Sequence, residues 1–172
     1  MDLPALTQRL ESFPALLLPA IAEWTEEDAH WRPAPGAWSV TEIVAHLGYS
    51  EVEDFRPRLA SLLEDPQRPW PSIDPEGVVK ERNFQGRDAL EEARTFARER
   101  ADSATWLRSL TADLPWGGTY EHPQLGPLRA GDILAAWAAH DALHLRQLAQ
   151  RRHQITERDL APYSSAYAGL WP

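Results

Sequence analysis

The sequence predicts an all-α protein: a four-helix bundle with long crossover loops, built as a single domain over residues 1–172. Three observations carry this. Apolar residues recur at spacings of three and four in four separate stretches, the signature of one buried helix face. Proline- and glycine-rich segments separate those stretches. No internal repeat and no strand-rich region is present. A chain of 172 residues is long enough to bury about two thirds of its unfolded surface around one core.

The first helix is expected from Leu3 to about Trp24, with Leu6, Leu10, Phe13, Leu17 and Ile21 on one face. Pro14 and Pro19 lie inside it and should kink or split it. TEEDAHWRPAPGAW reads as a connecting loop. The second helix start is marked by SVTE, in which Ser39 and Glu42 form a capping box, with Trp38 before it as a hydrophobic staple. Its apolar periodicity runs to about Leu63, and Pro57 should bend it. From Asp65 to Gly86 the proline content implies a crossover without a helix. Asp88 caps a third helix to about Leu110, with Leu90, Ala93, Ala97, Ala104 and Leu107 on one face and arginines and glutamates on the other. LPWGGTYEHPQLGPLRAG reads as a loop with a short hairpin. The fourth helix runs from about Ala130 to Arg151, and an irregular aromatic tail covers about 153–172.

Composition narrows the chemistry. The absence of cysteine excludes disulfides, thiolate metal sites and a cysteine nucleophile. A net charge of −9 argues against nucleic acid and anionic membrane as partners, because both are bound through clustered positive charge. The N-terminus has an apolar run but no basic leader or cleavage site. The expectation is a soluble cytoplasmic protein acting on a small molecule.

The informative stretch is ILAAWAAHDALHLRQLAQ. Ile133, Trp137, His140, His144 and Leu148 share the stripe that must face the core. Buried imidazoles without partners cost about 1 to 3 kcal/mol each, so this placement needs compensation. A divalent ion supplies it, since side chains four apart on a helix are close enough to bind one ion at about 2.1 Å. His46 is the other histidine within a helical run and becomes the third ligand. His30, His122 and His153 fall in loops or beyond the last helix and read as solvated surface, with His122 able to approach as a mobile fourth ligand. Of the eight tryptophans, Trp137 is expected in the pocket wall and the rest in the core or in loops. Three ligands leave a coordination position open, as catalytic sites do.

WSVTEIVAHLGYSE and LGPLRAGDILAAWAAHDALHLRQLAQ resemble the two signature regions of the DinB-like and YfiT-like group, metal-dependent hydrolases and thiol S-transferases of bacteria. The likeness runs from RPAPGAWS through the fourth helix. It implies a four-helix bundle and one divalent ion, nickel or zinc foremost and manganese or iron besides, on His46, His140 and His144. It also implies a homodimer and, for a transferase, a low-molecular-weight thiol such as bacillithiol or mycothiol as cosubstrate. For a hydrolase, Glu53 is the candidate base by helix face, with Asp141 as partner to a ring N–H and Tyr49 as hydrogen-bond donor. The competing readings are a noncatalytic, stress-associated metal- or ligand-binding module and a plain helical scaffold.

Overall fold

The computed structural model describes residues 1–169 and 171. Its elements are α1 (Leu3–Ala22), α2 (Glu26–His30), α3 (Val40–Ser50), a π turn (Glu51–Phe55), α4 (Arg56–Glu64), α5 (Pro75–Glu81), α6 (Ala89–Ser109), a hairpin of β1 (Thr119–His122) and β2 (Gly126–Arg129), and α7 (Ala130–Leu160). The bundle consists of α1, the continuous α3–π–α4 rod, α6 and α7, with α6 packed between α1 and α3.

α1 stays one helix despite its two internal prolines. Pro14 has no N–H, so the Leu10 carbonyl loses its partner one turn ahead. Nη1 of Arg100, reaching across from α6, donates to that carbonyl at 3.0 Å. The second rod responds differently to its proline. Pro57 cannot donate to the carbonyl of Glu53 and its ring crowds that turn, and the helix widens into the π turn over Glu51–Phe55. The extra residue turns Glu51 inward and leaves Val52 exposed.

Two short helices occupy segments expected as loops. Thr25 caps α2 by accepting from the Asp28 amide, and three acidic residues fill its first turn. In the crossover, Asp74 caps α5 and Pro75 opens it, a position where proline suits a helix rather than ending one. α6 matches its expected limits, but Arg100 lies on its buried face, contrary to the expected split between apolar and charged sides. α7 continues nine residues past Arg151, to Leu160, because Ile155 is still buried and QITERDL favours helix.

The expected hairpin forms, with Tyr120 opposite Leu128 and His122 opposite Gly126, whose φ of +71° suits a residue without Cβ. Trp70 stacks on Tyr120 at 4.1 Å and ties the crossover to the hairpin. The core has two large apolar clusters and a small third one around Ala45, Val79 and Phe84. One gathers Phe13, Leu17, Ile43, Leu47, Phe96 and Leu148. The other gathers Leu10, Leu59, Leu62, Leu107, Leu134 and Trp137. On the α3–π rod, α6 and α7 the buried residues at the level between these clusters are polar: His46 and Ser50 with Glu51, then Arg100 and Ser103, then Asp141 and His144, with His140 half-buried beside them. That buried polar layer holds the candidate site. No helix among the described residues is long and apolar enough to cross a membrane.

Candidate metal centre

His46 comes from α3, whose start is fixed by the expected capping box. The Ser39 amide donates to Glu42 Oε2 at 2.9 Å, and the Glu42 amide donates to Ser39 Oγ at 3.3 Å. Arg32 holds the Glu42 carboxylate through both oxygens, at 2.9 and 2.5 Å. His140 and His144 come from α7, whose first turn is held by Asp132 accepting from the Arg129 amide at 2.9 Å. Firm helix starts fix the axial position of each imidazole.

The three rings converge. Nε2 of His140 lies 2.9 Å from Nε2 of His144 and 3.3 Å from Nε2 of His46. One ligand atom from each residue can be chosen so that all lie within 4.8 Å of one another. His46 and His144 are buried and His140 is partly so. Nδ1 of His144 donates to Gln147 Oε1 at 2.9 Å, which leaves its Nε2 as a lone pair facing His140. Nδ1 of His46 is buried with no partner. Trp38 packs on the His46 ring at 4.9 Å between centroids, and Phe55, turned inward at the end of the π turn, packs on His140 at 4.9 Å.

Protonation does not resolve this crowding. Burial, followed by the neighbouring His144, lowers the His46 pKa from 6.5 to about 3. Burial and both neighbouring imidazoles, with Arg100 adding to them, lower His140 to about 2. Burial also lowers His144, against the opposing pull of Gln147 and Asp141. Three rings held neutral therefore bring their Nε2 atoms to a common point, where a ring protonated at Nδ1, as His144 is, offers a lone pair. Separations of 2.9 and 3.3 Å between these nitrogens would let one ion be held by all three residues at about 2.1 Å from each. The donor set fits a borderline divalent cation that accepts imidazole.

The other residues singled out from the sequence lie elsewhere in the layer or outside it. Asp141 touches no ring nitrogen; both of its oxygens accept from Arg100, at 2.6 and 2.9 Å. Trp137 is fully buried rather than in a pocket wall, stacked on Phe55 with its indole N–H donating to Glu51 at 2.9 Å. Glu53 is exposed and paired with Arg82 at 3.4 Å, because counting by α-helical turns does not allow for the π turn. Tyr49 packs against Phe84 beneath the Arg82 guanidinium and bonds none of the imidazoles. His122 sits in the hairpin, where Nδ1 accepts the Gln124 and Leu125 amides at 3.3 Å each. His30 is not free surface: its ring nitrogens meet the carbonyls of Glu26 and Arg87, at 2.8 and 3.0 Å. His153 packs on Trp171.

Sequence reasoning missed Glu51, Arg100, Gln147 and the inward face of Phe55. Arg100 had a visible signal. Ala93, Phe96, Arg100, Ser103 and Leu107 follow spacings of three and four, so the arginine stands at the centre of the core stripe.

A helical bundle with a three-histidine cluster among its described residues defines the class: a helical protein with a candidate metal site. Within that class, residues 9–148 match the family model described as the DinB superfamily, and the chain belongs to that superfamily. Among solved structures, the chain is similar to YfiT from Bacillus subtilis, described as "a probable metal-dependent hydrolase with an unusual four-helix bundle topology". The likeness has a TM-score of 0.79 at 18% identity and covers 90% of this chain and 88% of that one, which shows a shared fold. No curated protein matches the sequence.

Proposed function

We propose that this chain is a metal-dependent enzyme of the DinB superfamily that holds one divalent ion on His46, His140 and His144 and acts on a small molecule, with hydrolysis as the first reading. The observation that carries it is the convergence of three imidazoles, 2.9 and 3.3 Å apart at their nitrogens, inside the bundle. An ion bound there, nickel or zinc foremost, would acidify a bound water or polarise a carbonyl. The protein's own groups do the rest. Gln147 fixes the His144 tautomer, Phe55 and Trp38 hold two of the rings by packing, and Ser50 Oγ lies 3.3 Å from His46 Nε2. YfiT's description as a probable metal-dependent hydrolase supports the reading by analogy.

One observation favours thiol transfer as a second reading. A hydrolase uses a carboxylate base beside the ion, and Glu53, the candidate, would have to leave Arg82 to serve. A low-molecular-weight thiol activated by the metal needs no such base. Protein purified without an affinity tag, loaded with nickel or zinc, separates the two. Turnover of esters or amides without added thiol supports hydrolysis, and turnover of an electrophile only with thiol supports transfer. A protein that binds no metal overturns both.

A further inference from the structure

Beside the imidazoles in the same layer lies a second polar cluster. Arg100 is 1% exposed, Glu51 1% and Asp141 5%. Arg100 Nε donates to Glu51 Oε1 at 2.9 Å, and its two terminal nitrogens grip both oxygens of Asp141. Glu51 Oε2 accepts the Trp137 indole at 2.9 Å. Every carboxylate oxygen in the cluster meets a donor and none meets an acceptor, the bonding pattern of two carboxylates held by one guanidinium. Two carboxylates against one guanidinium leave one buried negative charge. An apolar core gains nothing from such an excess, since a buried charge without a counter-ion is costly.

The excess stands next to the imidazoles. Asp141 follows His140 in α7, and Glu51 follows Ser50, whose hydroxyl touches His46. Three neutral imidazoles leave both positive charges of a divalent ion uncompensated. We infer that the Glu51–Arg100–Asp141 cluster is a built-in counter-charge for the cation held by His46, His140 and His144, with Arg100 orienting the two carboxylates. The inference rests on the metal reading above. Arg151, the next buried arginine on α7, lies two turns beyond His144 and bonds the Trp38 carbonyl and Gln154 instead.

The test is cobalt(II) titration of the apo full-length chain by competition, with the visible ligand-field bands as a second readout. Wild type is compared with Glu51→Gln and Asp141→Asn, isosteres that each remove the excess charge, and with Glu64→Gln, an exposed control. Each isostere is read on apo protein whose circular dichroism matches wild type, so either one suffices. A unit charge in the same buried layer as a dication, in a medium of effective dielectric about 20, is worth at least about tenfold in affinity. The expected result is that loss for both core isosteres with unchanged bands, and no change for Glu64→Gln. Unchanged affinity overturns the inference and makes the cluster a structural tie alone. Weaker binding with altered bands also overturns it, because ligand geometry rather than charge would then have changed. If the wild type itself binds no cobalt, the metal reading has failed, an outcome distinct from the other two.

Discussion

The buried polar layer contains two clusters that solve the same problem in opposite ways. Around Arg100 every guanidinium nitrogen and every carboxylate oxygen has a partner, so the cluster closes on itself and ties α1, the π turn, α6 and α7 together. Around His140 the Nε2 atoms of three imidazoles crowd together, and His46 Nδ1 has no partner at all. Unequal satisfaction within one layer separates structure from function. Buried polar groups that are fully paired specify packing, whereas a buried set left open needs something from outside the chain.

Breaking the closed cluster should give the largest stability effect. Arg100→Met strands two buried carboxylates and is expected to cost about 3 to 5 kcal/mol in chemical denaturation. A loss under 1 kcal/mol would mean that the cluster is not the tie described.

The open cluster should show itself through pH. Unfolded histidines titrate near 6.5, while the folded chain holds His46 at about 3 and His140 at about 2. Below pH 6.5 the unfolded chain takes up protons that the folded chain refuses, so apo stability is lost as pH falls from 6.5 toward 3. Burial raises Glu51 and Asp141, which acts in the opposite sense. Thermal melts of apo protein between pH 7 and 4.5 should therefore show a falling Tm, with a smaller slope in His140→Gln. A flat profile would contradict the depressed imidazoles.

Smaller effects sharpen the contrast. Gln147→Ala releases the His144 tautomer and should weaken zinc binding about tenfold, read by chelator competition, with little change in Tm. Glu53→Gln removes an exposed pair with Arg82 and should alter stability by less than about 0.5 kcal/mol in denaturant titration.

Much of this was legible in the sequence, and the remainder was not for physical reasons. The capping box at Ser39 and the spacing of His140 and His144 are local signals, and the structure has them where periodicity put them. α2 and α5 were hidden because proline and glycine in a segment outweigh a cap in a composition reading, although Asp74 followed by Pro75 is a helix start. The fate of Glu53, Asp141 and Trp137 depended on the π turn and on Arg100 arriving from another helix. A one-residue change of helical register rotates side chains by about 100°, and no face count on a regular helix anticipates it. The open coordination position that three ligands imply belongs to chemistry rather than to periodicity, and only the loaded protein can display it.

The most direct test is the metal content of tag-free protein after dialysis against nickel or zinc, measured by elemental analysis for wild type and for His144→Ala. The account predicts one ion per wild-type chain and a near-complete loss in the variant, with the helical circular dichroism retained. Equal metal in the two proteins would contradict it.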